Sequence, residues 1–585
     1  MTGSAPAPRV PAKSERATMT GWFDPAQLMR TGMRVLVSEL FGQNADRRIL
    51  DSIAHRDIGV CDYSTWDELW LDYVSDTGDG WNATYGIAHQ VAQPTLSVDD
   101  PRGTTHLTRR GQVLVFGGDE VYPTPSREWY EQKLVAPYRT ALPNSAKPQP
   151  SVFAVPGNHD WYDSLVSFTR LFCGTRDRAL GGWQARQSVS YFAVRLPHHW
   201  WLVGTDVQLD SDIDDPQLEY FRGVAKQMED DARVILCTAE PHWIEEARYA
   251  KFDPSLTQRN LNYLEREVFG RRIEVFLSGD LHHYRRHEAR DGRQKITAGG
   301  GGAYLSPTHH DVSEVATLPE GYTLKASFPS VEESKRLSWG NLLFIRHNPK
   351  FGILTAVLYL LLGWSVKVPL GAVSLREPTR ALAALRDAVL LSPTAMVWGV
   401  LVVFGFVTFT DSHSPTQKRL GGTLHALAHL LAAFFSGWIG AAFAANVLAG
   451  RPQWLQWLTV GGFLLVGGYV VGSVIMGLYL LISLNLFHRH NTEAFSSMRI
   501  EDYKSWLRLQ VTPDGALRIY PIKLHRVARK WRPAEPRDAT PSLLVPDDPH
   551  ATAPELIESP IVIPGIVRPG SGGYAAAAAP GLTIS

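Results

Sequence analysis

Cysteine is scarce: Cys61, Cys173 and Cys237 are the three among 585 residues. An odd number at wide spacing builds neither a disulfide framework nor a thiolate metal knuckle, and it suits a reducing compartment. An excess of one charge is missing too, since 58 Lys and Arg balance 58 Asp and Glu. That balance argues against a general nucleic-acid binder and against an acidic, solvated chain. The first 19 residues, MTGSAPAPRVPAKSERATM, contain no apolar core of about 7–15 residues, so no secretory signal peptide is expected there. Residues 1–19 read as a disordered tail, and residues 20–60, with apolar positions at three-to-four spacing after Asp24-Pro25, as a helical segment.

Charge is also missing locally, over long stretches. Ala388 to Thr410, Leu420 to Gly450 and Pro452 to Phe487 contain no Asp, Glu, Lys or Arg, and Phe351 to Leu375 is interrupted by Lys367 alone. The mean hydropathy of −0.13 conceals this block behind a polar first half. A bilayer-spanning helix needs about 20 apolar residues, so four spans are expected within 351–487, at about 351–375, 388–410, 420–450 and 454–487. Trp364, Trp438, Trp454 and Trp457 fit an interfacial belt. His425 and His429 share a helix face, where interhelical hydrogen bonding is the better reading than a metal or haem site.

Residues 66–346 look different. Short β-rich runs recur (LWLDYVS, GQVLVFGG, PSVFAVPG, SYFAVRL, HWWLVGT, ARVILCTA, RIEVFLSG, QKITAGGGG), separated by helical or loop stretches, which predicts a layered α/β domain. After the apolar block, residues 488–531 carry LRLQV-TPDG-ALRIYPI, read as a hairpin in a small soluble segment returning to the first domain. Residues 532–585, rich in Pro, Ala, Gly and Ser, are expected to be disordered.

Polar clusters follow the predicted strands, where layered α/β domains gather ligands. LWLDYVS leads to Ser75-Asp76-Thr77-Gly78, QVLVF to Gly118-Asp119-Glu120-Val121-Tyr122, SVFAVP to Gly157-Asn158-His159-Asp160, RVILCTAEP to His242, and IEVFLS to Gly279-Asp280-Leu281-His282-His283. Oxygen and imidazole donors without cysteine suit Fe, Mn, Zn or Mg. Arg285-Arg286 and His309-His310 are candidates to reach a phosphate, though a solvated loop is the better reading for them.

In these blocks the chain resembles the calcineurin-like metallophosphoesterase superfamily, and within it the purple acid phosphatase branch. That branch carries G-D-x-G, G-D-x-x-Y, G-N-H-D/E, a lone His and G-H-x-H; this chain carries S-D-T-G, G-D-E-V-Y, G-N-H-D, E-P-H and G-D-L-H in the same order, over about residues 70–310. The resemblance implies a β-sandwich flanked by helices with two metal ions (Fe, Mn or Zn). Asp76, Tyr122 and His282 would bind the first, Asp119 would bridge, and Asn158 and His242 would bind the second. Tyr122 would replace the His missing at Gly78, and a tyrosinate on Fe(III) would colour the protein. His159 would contact the phosphate and serve the leaving group, with Asp160 orienting its ring. Asp280 stands where the family has a His. It is either a ligand to the second metal or an outer residue in a shifted loop where His282 and His283 both ligate.

The implied function is a membrane-anchored phosphoesterase that hydrolyses a phosphoester, lipid-linked or nucleotide, by attack of a metal-bound hydroxide. Its catalytic domain would face the cytoplasm. The alternative is a catalytically inactive metallophosphoesterase-like module that binds or regulates on a membrane receptor or transporter. A membrane block without intramembrane Asp, Glu, Lys or Arg favours anchoring over an ion pathway.

Overall fold

The structure, a computed structural model, describes residues 10–30, 58–144, 149–174, 178–207, 212–249, 259–366, 373–390, 393–410 and 415–566. The apolar runs all form strands: Leu69–Val74, Val113–Phe116, Ser151–Ala154, Phe192–Arg195, Trp200–Gly204, Arg233–Cys237, Ile273–Ser278 and Gln294–Ala298. Leu69–Val74 and Trp200–Gly204 are buried at every position. Strands covered on both faces read as near-continuous apolar segments, which made them legible.

The strands form two large sheets. One places Phe192–Arg195, Trp200–Gly204, Arg233–Cys237, Ile273–Ser278, Gln294–Ala298, Tyr284–Glu288 and Tyr322–Phe328 side by side in that order. The other runs Leu517–Leu524, Lys504–Val511, Leu69–Val74, Val113–Phe116, Ser151–Ala154, Trp183–Ala185. Leu71, Tyr73, Val115, Phe153 and Leu509 of the second sheet share one core with Val194, Leu202, Ile235, Val275 and Ile296 of the first. Outer faces are covered by helices. Tyr85 and Ile87 of helix Trp81–Val91 share a core with Trp70, Phe116 and Trp506, and Leu218 and Phe221 of helix Asp215–Ala225 share another with Trp201, Leu236 and Phe276. The result is a mixed α/β sandwich with helical outer layers.

The hairpin after the apolar block is more than a flap. Lys504–Val511 lies in the interior of the second sheet, antiparallel to Leu69–Val74 with Leu509 opposite Leu71, and pairs on its other side with Leu517–Leu524. The helical block is therefore an insertion into the sandwich, and both its ends belong to one domain.

The expectation of disorder from residue 532 onward is corrected for residues 532–566. Ile561–Ile563 pairs with Leu517–Ile519, Glu555–Leu556 with Ile522 and Lys523, and Trp531–Pro533 with Leu544–Pro546. Apolar triplets inside a Pro-rich background are enough to cover a sheet edge. Residues 567–585 lie outside the described residues. At the other terminus, residues 10–19 are also placed: Trp81 donates its backbone N–H to Ala17 O at 2.8 Å, and Met19 is buried. Residues 25–30 are helical, while residues 1–9 and 31–57, most of the expected N-terminal helical segment, lie outside the described residues.

The four expected spans become two. Among the described residues, helices Lys418–Val447 and Gln453–Phe487 are long and apolar enough to cross a membrane, whereas Pro349–Trp364 and Pro393–Phe409 are shorter. The first expected span also runs into residues 367–372, outside the described residues. His429 Nδ1 lies 3.0 Å from Tyr359 Oη on another helix, the interhelical hydrogen bond expected of it, and His425 stacks on Tyr479 at 3.8 Å.

Candidate functional site

Leu69–Val74, Val113–Phe116 and Ser151–Ala154 are parallel, as are Trp200–Gly204, Arg233–Cys237, Ile273–Ser278 and Gln294–Ala298. Parallel strands deliver their following loops to one edge of the sandwich. The loops there are stitched together: Asp76 N–H donates to Gly118 O at 2.9 Å, Thr77 N–H to Asp119 O at 3.0 Å, and Gly279 N–H to Ala239 O at 2.9 Å. Two glycines are required by this crowding. A Cβ on Gly157 would run into the Asp119 carboxylate, and one on Gly279 into Ser75 and Asp76.

Three acids at this edge sit in the left-handed region, Asp76 at φ 58°, Asp119 at φ 53° and Asp280 at φ 64°. Non-glycine residues adopt it at a cost, which is characteristic of functional loops. The conformations bring side chains together around one atom. The Tyr122 hydroxyl lies 2.8 Å from Asp76 Oδ1, 2.9 Å from Asp119 Oδ2 and 2.9 Å from His282 Nε2. Asp119 Oδ1 accepts from the His159 backbone N–H at 2.8 Å, and Asp76 Oδ2 from Ser75 Oγ at 2.8 Å and the Asp280 N–H at 3.0 Å.

A phenol has one proton to give, yet three acceptor-capable groups surround it. Protons or a cation must fill the deficit. Burial, with Asp160 adding to it, pushes the Asp119 carboxyl up to about 8. Burial, with Asp119 and Glu245 beside it, pushes Asp280 up to about 7. Burial, then Asp119 and Asp280, raise Asp76 well above the carboxylate range. Burial drives His282 down to about 3, which keeps the imidazole neutral, as a metal ligand must be. Asn158 Oδ1 is buried without a hydrogen-bond partner among the described residues.

These side chains suit a cation: Asp76, Asp119, Tyr122 and His282 converge, and the orphaned Asn158 oxygen and the Asp280 carboxylate lie on neighbouring loops. Among the described residues, no group of three His, Cys, Asp or Glu is already arranged to hold a metal ion; the convergence here has a phenol at its centre.

Other expected residues are placed differently. His242 opens helix His242–Tyr249, and its Nε2 lies 2.9 Å from Glu265, while its Nδ1 is buried without a hydrogen-bond partner among the described residues. Among the described residues Asp160 makes no hydrogen bond to the His159 ring. It accepts from Gly157 N–H at 3.0 Å, Glu120 N–H at 3.2 Å and Tyr130 Oη at 2.5 Å, tying loops together. The His159 ring is held by its Nδ1, 2.7 Å from Pro123 O. His283 is fully buried beside Arg285 and Asp311, with both ring nitrogens unpartnered among the described residues.

Nor do Arg285-Arg286 and His309-His310 form a solvated loop. Arg285 clasps Asp311 at 2.8 and 3.0 Å, Arg286 binds Glu558 at 2.6 and 2.9 Å, and His309 Nδ1 lies 2.8 Å from Ser334 Oγ. The arginines lie on strand Tyr284–Glu288, where a pairing partner buries them.

Residues that sequence reasoning missed complete the surroundings. Trp22 faces Tyr122 and His159, Tyr304 stands edge-on to His282 at 4.5 Å, and Lys133, lowered to about 8 by burial, donates to Tyr122 O at 2.6 Å. None belongs to a motif. The Gly299–Gly302 run before Tyr304 was the available signal for that loop.

No protein-family profile and no curated protein matches the chain. Thirteen chains of solved structures do. One is GAP50, the anchor in the inner membrane complex of Plasmodium, at 14% identity over 41% of this chain and 74% of that one, with a TM-score of 0.29. PhoD matches at 10% identity over 44% of this chain and 61% of that one, with a TM-score of 0.28. A dimetal phosphatase from Danio rerio matches at 13% identity over 39% and 86%, with a TM-score of 0.23. What the site can do follows from its own residues.

Proposed function

We propose that the chain is a metal-dependent phosphoesterase of the calcineurin-like kind, held at a bilayer by its inserted helices. The observation that carries this reading is the meeting of Asp76, Asp119 and His282 at the Tyr122 hydroxyl, on loops that follow parallel strands. Asp76, Tyr122 and His282 would hold one ion, Asp119 would bridge, and Asn158 and Asp280 would serve the second. The chemistry such ions supply is Lewis-acid polarisation of phosphoryl oxygens.

The chain's own residues do the rest. The Pro123 carbonyl can only accept, so His159 Nδ1 is its donor, and Nε2 is the atom free to take or give a proton. Burial lowers His159 below its ordinary value, so it rests neutral with Nε2 as acceptor. Asp160, through Gly157 and Glu120, holds the loops that carry Asn158 and Asp119. Anchoring is supported by apolar side chains exposed along the long helices, among them Leu424, Leu431 and Ile439 on one and Leu458, Val466 and Ile482 on the other.

The test is hydrolysis of an aryl phosphate and its diester by detergent-purified protein supplied with Mn, Fe or Zn, for wild type and Asp119→Ala. Activity that the substitution abolishes supports the enzyme. Inactivity with every metal favours the binding-module alternative.

A further inference from the structure

The wall between the carboxylate cluster and the apolar helices is aromatic and thin. Trp22 meets the rings of Tyr122, His159 and Tyr304 at centroid distances of 6.3, 5.9 and 5.6 Å. The next residue, Phe23, packs edge-on against Phe344, Phe351 and Phe409 at 5.1, 5.8 and 6.5 Å. Phe23 also belongs to the same cluster as Met476, Leu480 and Leu484 of helix Ser473–Phe487. That segment ends one of the two membrane-length helices. Consecutive residues thus touch the candidate catalytic cluster and the helices that would sit in lipid.

The rim has two characters. Asp76, Asp119, Tyr122 and His282 are buried, while Trp22, Asn158, His159 and Asp280 are mostly buried with a part of each side chain exposed. The indole N–H of Trp22 is buried without an acceptor among the described residues, an unmet donor that a phosphate oxygen would satisfy. Farther along the wall, Phe409 stacks on His490 at 5.9 Å. With Leu424, Leu478 and Ile482, His490 lines a cavity of about 460 Å³ between the apolar helices.

We infer that, given the phosphoesterase reading above, the substrate is an amphiphilic phosphoester resident in the bilayer. Its phosphate lies at the cluster and accepts from Trp22 Nε1, and its apolar chain runs over Trp22 and Phe23 to the helices. Water adds to phosphorus, the P–O bond to the lipid-bearing oxygen breaks, and that oxygen leaves with a proton as the alcohol. Trp22 contacts the substrate, and Phe23 positions Trp22 and the apolar chain.

The test uses the full-length protein in vesicles with metals supplied. Phosphatidic acid in the bilayer, a soluble aryl phosphate and a nucleoside monophosphate are compared. The bilayer substrate should exceed the other two in kcat/KM by about 100-fold or more, and Phe23→Ala should cut that ratio about tenfold, as loss of remote binding energy does. A readout independent of turnover is photolabelling of the wild type by a phosphatidic acid carrying a diazirine near its headgroup. The label should fall in the tryptic peptide 17–30, which holds Trp22 and Phe23, and excess unlabelled phosphatidic acid, but not diacylglycerol, should suppress it. Equal rates on all three substrates, or label absent from that peptide, overturn the bilayer-substrate inference and leave the phosphoesterase standing. Failure to hydrolyse any of the three with every metal overturns the reading beneath it, and the inference with it.

Discussion

Arg508 and Asp72 form a fully buried, two-pronged ion pair, Nε to Oδ1 at 2.7 Å and an η nitrogen to Oδ2 at 3.1 Å, across neighbouring strands that lie on either side of the helical insertion. Thr108 Oγ1 accepts from Arg508 at 3.2 Å and the Gly111 N–H donates to Asp72 at 2.9 Å, so no charge is left bare. The pair fixes the register of the C-terminal hairpin against the first strand. Removing one partner strands the other in the interior, at a cost of about 3–5 kcal/mol, whereas replacing both by apolar residues is often close to neutral. Arg508→Leu should lower the melting temperature sharply, and Arg508→Leu with Asp72→Leu should recover most of the loss. Equal melting temperatures for wild type and the single variant would contradict the placement of the hairpin.

The insertion also constrains topology. Strands before and after the helical block share one sheet, so a block that crosses a membrane must do so an even number of times. An impermeant maleimide should label Glu332→Cys and Arg537→Cys, both exposed, from the same side of sealed vesicles. Arg451→Cys, in the turn between the two long helices, should react from the opposite side. Labelling of Glu332→Cys and Arg537→Cys from opposite sides would break the account of the sheet.

His282 and His242 should behave differently. His282 Nε2 is within 2.9 Å of the Tyr122 hydroxyl, whereas His242 is engaged with Glu265. His282→Ala should weaken metal binding by about 100-fold or more, while His242→Ala should leave the metal content at the wild-type level. A metal lost from the His242 variant would mean that this ring leaves Glu265 when the site is loaded.

Metal-free protein should lose stability as pH rises. Asp119 and Asp280 stand at about 8 and about 7 in the folded chain, against about 3.9 for an unfolded Asp. The folded state therefore binds more protons than the unfolded one across that range. Their contribution to stability is complete below about pH 4 and is lost as pH climbs through about 7 to 8. Chelator-treated protein should melt higher near pH 6 than near pH 8.5, and added Mn should raise the value near pH 8.5 most. A melting temperature that rises with pH in the chelator-treated protein would show that these acids are not crowded as described.

Much of this fold was legible because fully buried strands leave continuous apolar runs, and because Asp76, Asp119, Asn158 and Asp280 each follow one. What stayed hidden was non-local. LRLQV reads as a hairpin strand, but nothing nearby in the chain says that its partner is LWLDYV, more than 400 residues earlier. The pairing of Ile561–Ile563 with Leu517–Ile519 was masked by Pro-rich surroundings. A motif fixes residue identity without fixing rotamer, so the engagement of His242 with Glu265 and the hold of Pro123 on His159 could not be read from E-P-H or G-N-H-D. Trp22 was invisible as a site residue because its role depends on where the N-terminal segment returns.

The loop ends around Tyr122 are expected to hold metal ions. Elemental analysis of the detergent-purified full chain, after incubation with Mn, Fe or Zn and removal of excess, tests it most directly in wild type and Asp119→Ala. About two ions per wild-type chain, the number a bridging carboxylate serves, and a marked loss in the variant are the predicted result. A wild-type chain that stays metal-free after all three metals, with a melting temperature indifferent to them, would contradict the account.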